Sequence, residues 1–266
     1  MKIPYYHIDS FTRNVFGGNP AGVCVLDDWL SDSTMLNIAR ENGLAETAFI
    51  VGNNGSYKIR WFTPDIEMDL CGHATLAAAH VVANFLENTH SVTFHSKTDE
   101  LKIGISDGKI AMRLPRRVPS AAAAPQTLLD SVSIKPVKVL KARDYIFVYR
   151  TEDEVQKLQI NTGVFNQINL DPGGLCVTSL GRSVDFVSRY FTPQSTILED
   201  PVTGSAHCSL IPYWADQLGK KLLKAKQISS RGGELYCEDL EDAVEVAGYA
   251  VTYKTGEISV DGESAS

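Results

Sequence analysis

The sequence predicts an α+β protein of two similar β-rich domains, each wrapped round one apolar helix. The main observation is an internal repeat, because Arg60-Trp-Phe-Thr-Pro64 recurs 129 residues later as Arg189-Tyr-Phe-Thr-Pro193. A small-residue loop and an apolar helix follow each copy, at Gly72-His73-Ala74 and at Gly204-Ser205-Ala206. A repeat this long indicates a duplicated domain, since solenoid repeats span about 20–50 residues.

The elements of each half follow from hydrophobic periodicity and from turn residues. Ser31 is expected to cap a helix that runs to about Asn42, with Gly43 as its end, and Asp107-Gly108 predicts a hairpin. Other predicted strands of the first half are Ile3–Asp9, Val23–Leu26, Leu44–Val51, Tyr57–Thr63, Ser91–Ser96, Leu101–Ser106 and Lys109–Leu114, and its second helix runs to about Leu86. In the second half we predict helices at Gln126–Val132, at Thr151–Leu158 and up to about Gln217, and strands at Val137–Leu140, Tyr145–Tyr149, Leu175–Ser179 and Val184–Phe191.

A proline-rich stretch without a hydrophobic period, Pro115–Pro125, separates the two halves. We place the domain boundary there, which gives domains 1–117 and 118–266, with end strands that can cross over between them. Ligand sites favour domain interfaces, so the N-termini of the two central helices are expected to face one cleft.

Composition narrows the class of protein. The chain is 44% hydrophobic and 21% charged, as in folded globular domains. The net charge is −7 and no basic run occurs, so nucleic acid is not an expected partner. No apolar run approaches the length of a membrane span, and the N-terminus lacks the apolar core of a signal peptide. We therefore expect a soluble, cytoplasmic protein that does not engage a membrane.

The five cysteines are Cys24, Cys71, Cys176, Cys208 and Cys237. Their number is odd and no CxxC motif occurs, so neither a disulfide framework nor a structural zinc site is expected, and no metal is predicted.

The first candidate site is the stretch Asp69–His80, which joins an acid, a thiol, a glycine and an imidazole to a run of small apolar residues. This pattern is typical of a short loop that leads into a buried helix, whose first N–H groups lack partners. Gly72 lets a ligand come close to them, so they could hold a carboxylate or phosphate beside His73. The alternative is a core helix whose loop contains Cys and His without a functional role.

Glu46 stands at the start of an otherwise apolar strand. A carboxylate at the mouth of a cleft suits general acid–base work, whereas the plain alternative is a solvated residue at a strand end. By the 129-residue offset its counterpart is Leu175, so the two halves are not chemically equivalent.

The second candidate site is the segment Glu199–His207. Asp200 precedes a proline, which keeps it in extended geometry, and Thr203 or Ser205 can cap the following helix. The N–H groups after Gly204 could again hold an anion, and the plain alternative is a capped core helix.

Three motifs occur in order: Glu46-Thr-Ala-Phe, Gly72-His73-Ala74-Thr75 and Asp200-Pro-Val-Thr-Gly-Ser-Ala-His207. Together they resemble the PhzF phenazine-biosynthesis-like family. Asn19-Pro-Ala-Gly22 near the start and Arg231-Gly-Gly233 near the end also look like this family. The resemblance covers essentially the whole chain and is specific, since order and distances match.

The resemblance implies the diaminopimelate-epimerase-like fold, in which each of two similar domains curls a mixed sheet around a central helix. It also implies a homodimeric isomerase without a cofactor, with an active site between the domains and a small cyclic amino or carboxylic acid as substrate. Glu46 would shuttle a proton between carbons, while His73 and Asp200 would hold the substrate and help to ionise it. The candidate substrate-binding residues are Asn19, Cys71, Gly72, Gly204 and Ser205.

Two departures from the family pattern keep other functions open. Ala45 stands where relatives often carry serine, and Cys71-Gly72 is similar to the Cys-Gly start of epimerases and proline racemases, which use two facing cysteines. The second copy has Asp200 at about that place, and Cys208 falls inside the helix, so the second thiol is missing. The alternatives are a cysteine-based racemase or epimerase using Cys71, and a non-catalytic dimer that binds a small ligand.

Overall fold

The computed structural model of the chain describes residues 1–171 and 173–260, which fall into two compact units. The first unit comprises Met1–Met112 and the chain from Gly248 onward, and the second comprises Arg113–Ala247. The boundary predicted after residue 117 lies a few residues beyond the observed one. The last described strand belongs to the first unit, so the chain returns to that unit after the second unit.

The first half of the chain forms a mixed sheet with two helices. Its elements are β1 (Lys2–Ser10), β2 (Asn19–Leu26), α1 (Asp32–Asn42), β3 (Glu46–Asn53), β4 (Ser56–Phe62), β5 (Glu67–Met68), α2 (Gly72–Val81), a π-helical turn (Val82–Leu86), β6 (Ser91–His95), β7 (Glu100–Ser106) and β8 (Lys109–Pro115). The pairs β2–β3 and β4–β6 are parallel, and β1–β2, β3–β4, β6–β7 and β7–β8 are antiparallel.

The second half repeats this topology. Its elements are β9 (Ser120–Ala121), α3 (Gln126–Asp130), β10 (Lys138–Lys141), β11 (Tyr145–Val148), α4 (Glu152–Lys157), α5 (Thr162–Phe165), β12 (Leu175–Leu180), β13 (Phe186–Phe191), β14 (Glu199–Asp200), a 3-10 turn (Gly204–Ala206), α6 (His207–Leu218), β15 (Leu222–Gln227), β16 (Gly233–Asp239) and β17 (Ala243–Gly248). The pairs β11–β12 and β13–β15 are parallel, and β10–β11, β12–β13, β15–β16 and β16–β17 are antiparallel. The last described element is β18 (Ala250–Ser259), which pairs antiparallel with β1.

Helix α2 is the centre of the first unit. Every residue of α2 except His80 is buried, and the helix packs against β1, β2 and β3. Its sequence of small apolar residues explains this position, because a helix that is apolar on all sides has no face suited to water. In the second unit α6 is similarly buried and packs against β15 and β16.

Local signals predicted several elements correctly. Ser31 accepts a hydrogen bond from the Thr34 N–H at the start of α1, and Gly43 ends that helix in the left-handed conformation. Asp107 and Gly108 have φ angles of 51° and 72°, as expected for the two central residues of a type I′ turn between β7 and β8.

An arginine–glutamate pair is duplicated along with the topology. The Arg60 guanidinium donates two hydrogen bonds of 2.7 Å to Glu67, which connects β4 to β5. Arg189 donates two hydrogen bonds, of 2.7 and 2.9 Å, to Glu199 and connects β13 to β14 in the same way. Bidentate pairs of this kind hold one geometry, so each short strand has a defined place.

Strand register corrects the alignment of the two halves at Glu46. The phenylalanine of each Phe-Thr-Pro turn pairs across the sheet with Thr47 in the first unit and with Leu175 in the second. Glu46 therefore corresponds to Gly174, and the assignment of Leu175 as its counterpart is wrong. The physical reason is that the chain between the paired residues is one residue longer in the second unit.

Candidate active site

The N-terminus of α2 carries three of the predicted site residues. Cys71 is the N-cap residue in extended conformation, and its side chain makes no capping hydrogen bond. The Thr75 N–H donates to the Cys71 carbonyl at 3.1 Å, so Gly72 and His73 lie in the first turn, before the helical hydrogen bonds begin. The Ser10 hydroxyl donates to the His73 carbonyl at 2.8 Å and ties this turn to β1.

Neighbouring strands bring two further predicted residues to the same place. Asn19 begins β2 and Glu46 begins the parallel strand β3, so both lie at one edge of the sheet. Glu46 Oε2 is 3.1 Å from His73 Nε2. The other ring nitrogen, Nδ1, is 3.1 Å from Asn19 Nδ2 and 3.5 Å from Cys71 Sγ. The first unit thus assembles the five candidates that the sequence placed in its half of the chain.

The cluster is largely removed from water. The His73 side chain is 4% exposed and that of Glu46 is 16% exposed, and Cys71 is buried. Burial disfavours the imidazolium, but the charge of Glu46 and the hydrogen bonds to Cys71 and Glu46 raise the pKa of His73 well above its ordinary value.

The thiol and the carboxylate of the cluster play different parts at neutral pH. Burial, and then the neighbouring Glu46, raise the pKa of the Cys71 thiol, so the sulfur keeps its proton. This leaves Glu46 as the negative partner of the His73 imidazolium. A carboxylate and an imidazole in direct contact can share and transfer a proton, which is the basis of general acid–base chemistry.

In the second unit a buried amide holds the segment around Asp200. The Thr203 hydroxyl donates to Asp200 Oδ2, and the Gln227 amide donates to the Asp200 carbonyl at 2.7 Å. Gln227 Oε1 accepts the Thr203 N–H at 2.9 Å. Sequence reasoning missed Gln227, because a single glutamine at the end of a strand belongs to no motif.

The helix of the second unit begins differently from α2. A 3-10 turn that contains Gly204 and Ser205 precedes α6, and neither the turn nor the helix has a side-chain cap. The expectation that Thr203 or Ser205 caps this helix is therefore wrong, since the Thr203 hydroxyl is engaged by Asp200. Gly204 is buried and Ser205 is partly exposed.

The first residue of α6 is a second buried histidine. His207 Nδ1 donates to the Thr203 carbonyl at 2.9 Å, and burial lowers the pKa of His207 to about 4. Its ring forms no ion pair with a carboxylate among residues 1–171 and 173–260, and with a pKa of about 4 it is neutral at pH 7.

The position equivalent to Cys71 is occupied by Thr203, because Gly72 and Gly204 correspond in the repeat. Cys208 is buried inside α6, and burial raises its pKa to about 11. The equivalent helix start therefore offers a hydroxyl in place of a second thiol.

At the place of Glu46 the second unit has Gly174 beside a buried carboxyl group. Asp144 Oδ1 accepts the Gly174 N–H at 3.0 Å and the Tyr190 hydroxyl at 2.8 Å. A Cβ added to Gly174 would lie 2.6 Å from the Tyr190 hydroxyl, so this position has no room for a side chain. Asp144 and Tyr190 were not among the predicted residues, since only strand register brings them together.

Three side chains of the first unit could also serve as metal ligands. One donor atom each of Glu46, Cys71 and His73 lies within 4.8 Å of the others, and among the described residues no other group of acidic, histidine and cysteine side chains does so. The sequence-based prediction of no metal relied on missing CxxC motifs, which cannot reveal a cluster assembled from separate elements.

Comparisons with known proteins assign nearly the whole chain to one family. The family model described as phenazine biosynthesis-like protein matches residues 8–256. A protein of Pseudomonas aeruginosa named as an uncharacterized isomerase is 42% identical, over 96% of this chain and 98% of its own length. A Halalkalibacterium halodurans protein, also named as an uncharacterized isomerase, is 40% identical over 97% and 99% of the two chains.

Solved structures confirm the predicted fold class. A PhzF-family crystal structure from Enterococcus faecalis has a TM-score of 0.92 and 41% identity, over 98% of this chain and 100% of that chain. A probable proline racemase from Agrobacterium radiobacter has a TM-score of 0.65 at 9% identity, over 97% and 93% of the two chains, which is a likeness of fold alone. Within the described residues, no helix is both long and apolar enough to cross a membrane.

Proposed function

Because the chain belongs to the phenazine biosynthesis-like (PhzF) family, we propose that it is an isomerase that moves a proton on a small amino or carboxylic acid. The observation that carries this proposal is the contact between Glu46 and His73 at the N-terminus of α2. It places a carboxylate and a charged imidazole beside first-turn N–H groups that suit an anionic substrate.

In the proposed reaction Glu46 removes a proton from one carbon of the substrate and returns it to another. The His73 imidazolium offsets the negative charge of Glu46 and can supply a proton to the substrate. The N–H groups by Gly72 and His73 hold the substrate carboxylate, and such preorganised donors also stabilise charge that develops in the transition state. Asp200, Gly204 and Ser205 are proposed as further substrate contacts, in line with the family resemblance.

A cysteine-based racemase is the second candidate, because Cys71 Sγ lies 3.5 Å from His73 Nδ1. Two features count against it. The pKa of the Cys71 thiol is raised rather than lowered, whereas a catalytic thiol needs a thiolate. The equivalent position in the second unit holds Thr203, which cannot replace a thiol as acid and base.

The test is deuterium incorporation from D2O into a panel of small cyclic and acyclic amino and hydroxy acids, followed by mass spectrometry. Wild type, Glu46→Gln and Cys71→Ser are compared side by side. We expect exchange into one class of compound with wild type and Cys71→Ser, and none with Glu46→Gln. Exchange that survives in Glu46→Gln and is lost in Cys71→Ser would favour the racemase, and a silent panel would favour a ligand-binding dimer.

A further inference from the structure

We propose that Glu46, Cys71 and His73 form a binding site for a thiophilic divalent metal ion, with Zn²⁺ as the natural probe. The ion is an inhibitor in this proposal and takes no part in the reaction. The binding depends only on the three donor groups, whereas the inhibition rests on the proposed function.

The donor set has the chemistry that zinc prefers. Thiolate sulfur, imidazole nitrogen and carboxylate oxygen are the usual protein ligands of Zn²⁺, and three of them leave a fourth position for water. On binding, the ion displaces the thiol proton of Cys71 and the proton on the ligating His73 nitrogen into solvent. The resulting thiolate and the Glu46 carboxylate carry two negative charges, which balance the charge of the ion. A hard ion such as Mg²⁺ prefers oxygen ligands and would bind this set poorly.

The spacing of the donors is close to that of a bound site. Zinc–ligand bonds of about 2.0–2.3 Å in a tetrahedron separate the ligand atoms by about 3.4–3.6 Å. The distance from His73 Nδ1 to Cys71 Sγ is already 3.5 Å, and one donor atom of each of the three residues lies within 4.8 Å of the others. Glu46 Oε2 lies 3.1 Å from the other ring nitrogen, Nε2, so the Glu46 side chain has to move toward Nδ1 to complete the set.

Two of the ligands are held in place and the third is the one that can move. Cys71 and His73 lie at the start of a buried helix, and the Ser10 hydroxyl bonds the His73 carbonyl. Asn19 Nδ2 lies 3.1 Å from His73 Nδ1, the ring nitrogen that faces Cys71, so an ion bound at Nδ1 replaces this contact. Glu46 is the more exposed ligand and gives the ion a route from solvent.

A bound ion would block the proposed proton transfer. The lone pair of Glu46 that accepts the substrate proton would be taken up by the metal. The imidazole of His73 would likewise be engaged in coordination, so neither group could exchange a proton with the substrate.

The experiment measures metal binding without any substrate, so its result does not depend on the isomerase activity. Zn²⁺ is titrated against a chromophoric chelator in the presence of wild type, Cys71→Ala or Cys176→Ala. Cys176 is the matched control, because it is also a buried, free cysteine but lies in β12. Co²⁺ is used in parallel, since a thiolate ligand gives it a charge-transfer band in the near ultraviolet.

We expect one equivalent of Zn²⁺ on wild type and Cys176→Ala, a thiolate band with Co²⁺, and a loss of affinity of more than about 100-fold in Cys71→Ala, which exceeds the usual effect of losing an outer-shell partner. Glu46→Gln keeps the helix start intact and should weaken binding as well, so it decides the matter if Cys71→Ala does not fold. The proposal is overturned if wild type binds no Zn²⁺, or if Cys71→Ala and Glu46→Gln both bind it as tightly as wild type. Binding without inhibition of deuterium exchange would leave the site standing and count against the proposed role of Glu46.

Discussion

The two units have the same strand order, yet they differ where the corresponding strands β3 and β12 begin. The first unit has Glu46 there, in contact with a charged histidine, and the second has Gly174, packed against Tyr190. The Arg60–Glu67 pair, in contrast, is reproduced by Arg189–Glu199 with nearly the same distances. Groups that hold the strands together have been kept in both copies, whereas groups at the strand starts have diverged.

The same contrast holds at the two helix starts. In the first unit Cys71 precedes α2 and His73 lies in its first turn. In the second unit Thr203 precedes the 3-10 turn and Ser205 lies within it. The groups proposed to transfer a proton, Glu46 and His73, therefore both lie in the first unit.

The largest expected difference is between the effects on activity of changing Glu46 in the first unit and Asp200 in the second. Glu46→Gln should slow deuterium exchange into the substrate by about 10²–10⁴-fold, the usual contribution of a general acid–base group. Asp200→Asn should mainly raise KM, because Asp200 is proposed to contact the substrate without moving the exchanged proton. Steady-state kinetics on the compound found in the panel separates the two, with the exposed Glu41→Gln as the control for charge. Equal losses of kcat in both variants would remove the distinction between the units.

The two buried histidines should respond to pH with opposite signs. Folding lowers the pKa of His207 from 6.5 to about 4, so its contribution to stability is present above pH 6.5 and is lost as the pH falls toward 4. The full effect is about 3 kcal/mol. Folding raises the pKa of His73, so its contribution is present below pH 6.5 and is lost at higher pH.

Urea unfolding at pH 7 and pH 4.5 measures this effect for wild type and His207→Asn. Wild type should lose more of its free energy of unfolding than the variant, because asparagine has no proton to gain. His80, whose pKa burial also lowers to about 4, is present in both proteins and cancels. Equal losses would show that His207 does not titrate as described.

A side chain added at Gly174 tests how closely the start of β12 is packed. Gly174→Ala should destabilise the protein by about 1–3 kcal/mol, since its Cβ would overlap the Tyr190 ring and the Phe191 carbonyl. Gly104→Ala, in β7, has no atom within 4 Å of the added Cβ and should change stability by less than about 0.5 kcal/mol. Thermal unfolding of both variants checks this, and equal stabilities would contradict the close packing of Gly174 against Tyr190.

The smallest effect compares two buried tyrosine hydroxyls in the second unit. Tyr190 donates to the Asp144 carboxyl group and Tyr149 donates to the Ile134 carbonyl at 2.9 Å. Hydrogen bonds to charged groups contribute about 1.5–3 kcal/mol and neutral ones about 0.5–1.5 kcal/mol, so Tyr190→Phe should cost about 1 kcal/mol more than Tyr149→Phe. Chemical denaturation resolves such a difference, and a larger cost for Tyr149→Phe would argue against a strong hydrogen bond from Tyr190 to Asp144.

Local sequence signals were sufficient for much of the fold. Capping residues predict the bounds of α1, and turn residues predict the β7–β8 hairpin. Repeated motifs reveal the internal repeat. Each of these signals depends on a few neighbouring residues. The pairing of β18 with β1 was not assigned in advance, because it joins the two ends of the described chain and no local pattern records it. The same limit explains the error at Leu175, since one extra residue in a loop shifts the register of a whole strand.

Some features of the candidate site could likewise be predicted from the sequence, and others could not. The chain places Cys71, Gly72 and His73 together, so their association at one helix start could be read directly. The family resemblance assigned Glu46 and His73 to one active site, but their direct contact was not predicted, since it joins two elements. Gln227 and the Asp144–Tyr190 pair were missed, because long-range hydrogen bonds between single residues leave no motif.

The most direct test of the account is the pKa of the His73 imidazole, measured by NMR in wild type, Glu46→Gln and Cys71→Ser. If Glu46 is the negative partner that completes the proton-transfer pair, the pKa of His73 should be high in wild type and in Cys71→Ser and should fall in Glu46→Gln. A pKa that stays high in Glu46→Gln and falls in Cys71→Ser would make the thiolate the partner of His73, and the proposed role of Glu46 would be wrong.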